Sequence, residues 1–229
     1  MQIIDILSKV KKEKRHLLLY QEAKEILNSW GIPTAPSRIV SEREQVVQTA
    51  RSIGVPIVMK ILSPDIVHKS DAGGVITDLR AEDEVIQAFD RMIDHFKGIN
   101  PPVRIEGVVI EKMVSGVEVI VGTTKDSQFG QVIMFGMGGI WTELLKDTSF
   151  RLIPIEPIDA EEMIEDLKSY PLLQGYRGQA ANVESLKKLL LSVSDLILHY
   201  PEITSIDLNP VFTSPEGSMV TDVRMRIGG

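Results

Sequence analysis

The chain has 229 residues and a net charge of −7, with 43% hydrophobic and 25% charged residues. That length supports one large domain or two small ones with an ample core, and the acidic balance excludes a general nucleic-acid surface, which needs a basic excess to displace counterions. The absence of cysteine removes disulfides, thiolate metal sites and a cysteine nucleophile, while an anionic ligand stays open because a local group of cations can bind phosphate within an acidic protein. The start, MQIIDILSKVKKEKRH, turns strongly charged after ten residues and does not read as a signal peptide. Apolar runs such as Leu186 to Leu198 are interrupted by Lys or Asp and are too polar to span a bilayer. A cytoplasmic location is expected, with neither nucleic acid nor membrane as partner.

In chain order, Leu17 to Trp30 has apolar residues at helical spacing and stops at Gly31. IPTAPSRIV, residues 32–40, holds two prolines and reads as an extended loop entering a short strand. Ser41 with Glu44 forms a capping-box pattern that predicts a helix to about Ser52. Val55 to Ile61 is a short buried strand carrying Lys60 near its end. The loop IVHKSDAGG leads into a strand over Gly74 to Leu79. A helix follows from about Ala81 to Phe96, with acids on its positive N-terminal end. After the turn Gly98 to Pro102 come strands over Val103 to Met113, Gly116 to Thr124 and Gly130 to Gly136. Helices over Asp159 to Lys168 and Asn182 to His199 precede strands over Ile203 to Leu208 and Ser218 to Val223. Strands and helices mix without strict alternation, which predicts an α+β fold with mainly antiparallel sheets in two lobes. The expected divisions are 1–30, 31–113 and 114–229, and the cleft between the lobes is the place to look for a ligand.

Lys60, at the end of an apolar strand, suits a nucleotide phosphate or simply reaches solvent. The hinge Glu111-Lys112-Met113-Val114 could offer backbone groups to an adenine edge, and Glu118 a carboxylate to ribose hydroxyls; a hairpin with surface charges is the plainer alternative. Strand alternation puts Asp207 and Asn209 on one face, and the turn TSPEG brings the strand with Asp222 back alongside. Oxygen donors on adjacent strands suit Mg²⁺, although Asn-Pro is also a common turn. In FGMGG, Gly136, Gly138 and Gly139 follow a strand and would let backbone approach phosphate oxygens, with Glu143 and Arg151 further on. His68 is one of only four histidines and sits in a turn-forming loop, either as a structural ring or as one presented for chemistry.

The ordered set strand-Lys, HKSDAGGV, EKMVSGVE, FGMGGIWTELLKD, FRLIPI, LLQGYRG and IDLNPV resembles the ATP-grasp subunit of the NDP-forming acyl-CoA synthetases, over nearly the whole chain. The small β subunit of ADP-forming acetate–CoA ligase is the nearest likeness. The resemblance implies an ATP-grasp fold, ATP or ADP as substrate, Mg²⁺, and a CoA-binding α subunit carrying a phosphohistidine, in an α2β2 assembly. It also implies a role for each candidate. Lys60 would hold phosphates, Glu111 and Met113 would frame adenine, and Glu118 would bind ribose. Asn209 and Asp222 would hold Mg²⁺, and Asp207 would be either a metal ligand or the partner of an incoming histidine. His68 would be a second phosphoryl carrier, with Arg151 adding positive charge to the transfer. A succinyl-CoA synthetase-like β subunit, a stand-alone ATP-grasp ligase and a non-catalytic nucleotide sensor are the alternatives.

Overall fold

The computed structural model describes residues 2–66, 69–139, 146–176, 178 and 180–228, and the chain divides into two compact units. One is Ala35–Val114, and the other joins residues 1–34 to 115–229. Residues 1–30 were expected to stand apart. They belong to the second unit because Leu18 N–H bonds the Met225 carbonyl at 3.0 Å and Ile227 N–H bonds the His16 carbonyl at 2.9 Å. Two helices lie in this segment, α1 (Ile3–Lys12) and α2 (Tyr20–Ser29), and each buries one stripe at helical spacing: Ile3, Ile6, Leu7 and Val10 in the first, Ala23, Ile26 and Leu27 in the second. Among the described residues no helix is long and apolar enough to cross a membrane.

In the 35–114 unit, β1 (Ser37–Val40), β2 (Ile57–Leu62), β3 (Val75–Leu79) and β4 (Gly107–Lys112) form an antiparallel sheet in the order β1–β4–β2–β3. Helices α3 (Val46–Ile53) and α4 (Glu82–Lys97) cover one face, where Ile57, Met59, Ile61 and Ile110 pack with Val46, Val85, Phe89 and Met92. The helix predicted from Ser41 begins as a 3-10 turn over Arg43–Gln45, and α3 starts only at Val46. Residues 41–45 are exposed, so no burial holds them in the α-helical register. The first turn of α4 carries three acids, and Glu84 accepts the N–H groups of Arg80 and Ala81 at 2.9 and 3.0 Å. β4 starts at Gly107 instead of Val103. Arg104 N–H bonds the Asp65 carboxylate at 2.7 Å and Glu106 N–H bonds the Leu62 carbonyl at 2.8 Å, which draws residues 103–106 out of the ladder.

The other unit has a six-stranded antiparallel sheet of β5 (Val117–Asp126), β6 (Gly130–Met137), β7 (Thr148–Leu152), β8 (Ile203–Ser214), β9 (Gly217–Val220) and β10 (Val223–Ile227). Its order is β10–β8–β5–β6–β7, with β9 also paired to β8. Helices α5 (Pro157–Glu165) and α7 (Val183–His199) lie against the face that carries Val119, Val121, Ile133, Phe135 and Leu208, and α6 (Tyr170–Leu173) is a single turn. Asn182 caps α7 by accepting Ser185 N–H at 2.9 Å. The strand predicted over Ser218 to Val223 is two strands, broken at Thr221 and Asp222. The break faces a bulge in β8. Val121 pairs with Leu208 and Val119 with Val211, so β8 spends one more residue than β5 over that step. Thr221 closes on the bulge by donating its N–H and hydroxyl to the Pro210 carbonyl at 3.1 and 3.2 Å.

Candidate functional site

Within the 35–114 unit, Lys60 and Glu111 stand on the sheet face turned away from α3 and α4. Glu111 pairs with Val58 and Lys60 with Val109, so the two charged side chains are diagonal neighbours across β2 and β4. The Lys60 ammonium donates to Glu111 Oε1 at 2.7 Å, with the two side chains 10% and 1% exposed. The lysine is therefore seated by a buried carboxylate. The hinge that follows is partly spent inside the unit: Lys112 N–H donates to the Pro36 carbonyl at 2.8 Å and Met113 N–H to the Pro56 carbonyl at 3.1 Å. Val114 N–H has no acceptor among the described residues, so within the hinge 111–114 it is the backbone donor left available, while the Met113 N–H is used inside the unit.

His68 lies outside the described residues. Gly74 N–H returns to the Lys69 carbonyl at 2.6 Å, and His95 Nε2 of α4 donates to the Ala72 carbonyl at 3.1 Å. Gly74 packs so closely on β2 and α4 that a Cβ there would lie 2.5 Å from Ile61 Cγ2 and 3.2 Å from the Phe96 ring. Only glycine fits at that contact.

The second unit gathers its candidates on the sheet face opposite α5 and α7. Alternation along β5 puts Glu118 and Gly122 on this face, with Asp207 of β8 directly across from Gly122 and Arg224 of β10 directly across from Asp207. Asn209 follows two residues after Asp207 at the start of the bulge, both exposed while the alternating Ile206 and Leu208 are buried. Asn209 N–H reaches the Asp222 carbonyl at 3.3 Å, so Asp222 sits beside Asn209 at the break between β9 and β10. Bulge and break together set residues with side-chain oxygens side by side along the chain: Asn209 and Asp222 adjacent through their backbones, Asp207 two residues before Asn209. Among the described residues no three His, Asp or Glu side chains converge on one point. A Mg²⁺ ion at Asn209 and Asp222 would therefore complete its shell with water and phosphate oxygens, and hard side-chain oxygens fit that ion.

Gly136 lies on β6 between Ile120 and Thr148, and Gly138 and Gly139 fold over Glu118. Gly138 N–H donates to the Glu118 carbonyl at 2.7 Å, and a Cβ on Gly138 would come within 2.4 Å of Glu118 Cγ. The half-buried Glu118 carboxyl is pushed up by desolvation, and the Gly139 N–H pulls it partly back. Protein packed around Asp207 likewise raises its carboxyl, Arg224 opposes the rise and Asp222 adds to it. Asp207 is nonetheless exposed to solvent, so it is no part of the core. A folded-state carboxyl raised above its unfolded value binds its proton more tightly when folded, so stability falls as pH rises through that value. Glu118→Gln should therefore raise the melting temperature of the free chain at neutral pH, and the gain should vanish below the ordinary carboxylate range, as thermal melts across pH would record.

Arg151 is not brought to this face. It pairs with Ile133 on the helix-covered side, and its guanidinium donates to Asp166 at 2.8 Å and Glu162 at 3.3 Å, on α5 and just beyond its end. Glu143 lies outside the described residues. Arg224 and Arg226, two residues apart on β10, both lie on the open face, Arg224 half-buried opposite Asp207 and Arg226 exposed opposite Ser205. Sequence reasoning passed over both; the i, i+2 spacing from Asp222 in TDVRMRI was the signal that could have found Arg224.

The ATP-grasp domain family matches residues 9–227. The chain is 44% identical over 96% of both chains to the β subunit of acetate–CoA ligase [ADP-forming] I of Pyrococcus furiosus. It is 45% identical to acetate–CoA ligase [ADP-forming] I of Archaeoglobus fulgidus, over 89% of this chain and 30% of that longer one. Among solved structures it is similar to acetyl-coenzyme A synthetase 1 of Ca. Korarchaeum cryptofilum in complex with coenzyme A and Ca-AMPCP, at TM-score 0.94 and 41% identity over 99% of this chain and 100% of that one. The same synthetase with coenzyme A and Mg-AMPPCP, its phosphohistidine segment pointing towards the nucleotide-binding site, matches at TM-score 0.85 and 40% identity over the same shares of the two chains.

Proposed function

Because the chain belongs to the ATP-grasp family, among the β subunits of ADP-forming acetate–CoA ligases, we propose that it takes a phosphoryl group from a histidine of its α partner and delivers it to ADP. The complete reaction converts acyl-CoA, ADP and phosphate into acid, CoA and ATP. The observation that carries this reading is the open sheet face where Glu118, Asp207 and Asn209 stand together, with Asp222 beside them at the strand break.

Each residue has a task on this reading. Lys60, seated on Glu111, presents its charge to the nucleotide phosphates, while the free Val114 N–H meets the adenine edge and Met113 packs beside it. Glu118, with Gly136, Gly138 and Gly139 around it, accepts the ribose hydroxyls. Asn209 and Asp222 would hold Mg²⁺, which when bound neutralises phosphate charge. Asp207 is then left to accept the N–H of an incoming imidazole, fixing its tautomer so that the other nitrogen carries the phosphoryl group. His68 is the second carrier: a neutral imidazole near pH 7 is a competent nucleophile towards phosphorus. Phosphoryl transfer asks for positioning and charge neutralisation more than for covalent help from the protein, and this set of residues supplies both. The assembly expected is α2β2, in the cytoplasm.

Titration calorimetry tests the nucleotide site. The isolated chain should bind Mg·ADP yet show no turnover until the α partner is added, and Asp222→Asn should weaken Mg·ADP binding at least about tenfold, in line with the loss of a metal ligand. Unchanged binding by Asp222→Asn would remove it from the metal shell, and turnover without α would overturn the subunit assignment.

A further inference from the structure

We propose that Arg224 is a catalytic residue, binding the oxygens of the phosphoryl group in transit beside Asp207. The inference rests on the phosphoryl-transfer reading above and adds to it a residue with no assigned role. In the antiparallel pairing of β10 with β8, Arg224 lies directly opposite Asp207, so both side chains project from the same open face. Arg224 is half-buried, and among the described residues its guanidinium makes no hydrogen bond or salt bridge. Arg15, Arg43 and Arg151, in contrast, are each held by a carboxylate. A half-buried guanidinium with its donors unspent is suited to a tetrahedral oxyanion, which it can grip through two parallel N–H bonds.

The electrostatics of the face call for such a cation. Glu118, Asp207 and Asp222 all repel phosphate, Lys60 belongs to the other unit and is bonded to Glu111, and Arg151 is turned to α5. Arg226 is on the same face but exposed and opposite Ser205, two residues further along β10, so Arg224 is the cation directly across from Asp207. Gly122 keeps the approach low: between Asp207 and Met134 in the same row it contributes no side chain. In the transfer itself, the N–P bond of the phosphohistidine breaks and its electron pair stays on the ring nitrogen. A terminal oxygen of the ADP β-phosphate forms the new O–P bond. The other ring nitrogen keeps its proton throughout, so the imidazole leaves neutral and no further reactant is needed. Arg224 takes up the charge spread over the equatorial oxygens as this happens.

The test uses the complex of this chain with its α partner, labelled with radioactive phosphate through acyl-CoA, and follows a single turnover of label to added ADP. Arg224→Gln should slow the transfer by about 10²–10³-fold, the range seen when one oxyanion donor is removed, and Arg224→Lys should recover part of the loss by restoring charge without the fork. Calorimetry should find Mg·ADP affinity within threefold of wild type in both variants, about the scatter of a residue that acts only in transit. Aluminium fluoride, as a phosphoryl mimic, should tighten Mg·ADP binding in the wild-type complex and not in Arg224→Gln. Transfer by Arg224→Gln at nearly the wild-type rate would overturn the assignment. So would a parallel loss of rate, Mg·ADP affinity and melting temperature in both variants, since that pattern marks a structural role. If the wild-type complex carries label that never reaches ADP, or takes up none, the reading beneath falls and Arg224 falls with it.

Discussion

His68→Ala should abolish ATP formation from acyl-CoA, ADP and phosphate, lowering turnover by more than about a thousandfold, as losses of a covalent carrier do. Mg·ADP affinity should stay close to wild type. Gly74 is pinned between Ile61 and Phe96, and His95 holds the Ala72 carbonyl, so the end of the loop is anchored to the core independently of what residue 68 is. On the proposed relay, replacing the imidazole by a methyl group removes the nucleophile while the contacts of Gly74 and His95 stay in place. No water molecule can stand in, because water would release the phosphoryl group as phosphate. Wild-type turnover by His68→Ala with the α partner would show that the phosphoryl group passes directly from partner to nucleotide.

Lys60→Met should destabilise the 35–114 unit by about 3–5 kcal/mol, the usual cost of leaving one member of a buried pair uncompensated. Glu111 is 1% exposed and accepts from Lys60 at 2.7 Å, so removing the ammonium takes a bonded cation away from a buried carboxylate. Against a total stability of about 5–15 kcal/mol for a domain, such a loss is large enough to unfold the unit on modest heating. The double variant Lys60→Met with Glu111→Leu should recover most of that stability, because two apolar side chains of similar bulk can replace a buried ion pair at little cost. Both variants should lose nucleotide binding. Denaturant melts with calorimetry on the same samples separate the two effects: a stable double variant that still bound Mg·ADP at wild-type affinity would take Lys60 out of the phosphate site.

Much of this arrangement was legible in the amino-acid order, and what was not has a local cause. The alternation in Ile206-Asp207-Leu208-Asn209 announced a polar face, and TSPEG announced the return of Asp222. The bulge at Asn209 and Pro210 was silent, because it depends on Val119 and Val121 in a strand more than eighty residues earlier. Arg151 drew attention by following the glycine loop. One residue of strand parity turns it to α5, and parity could be settled only by knowing that Ser149, not Phe150, is buried. Which hinge N–H is left available was silent too, because the Pro56 carbonyl, distant in sequence, takes the N–H of Met113. Helix starts show the same limit: Ser41 and Glu44 made a good cap on paper, but burial begins only at Val46. Local chemistry named the residue types, and long-range register decided which of them meet.

The most direct test is where the phosphoryl group rests. The complex is incubated with radiolabelled phosphate and acyl-CoA, without nucleotide, and its chains are separated under alkaline conditions that preserve phosphohistidine. Label should appear on both chains, on this one at His68, and added ADP should remove it from both as labelled ATP. Label confined to the α chain, chased into ATP at full rate, would contradict a relay through this subunit.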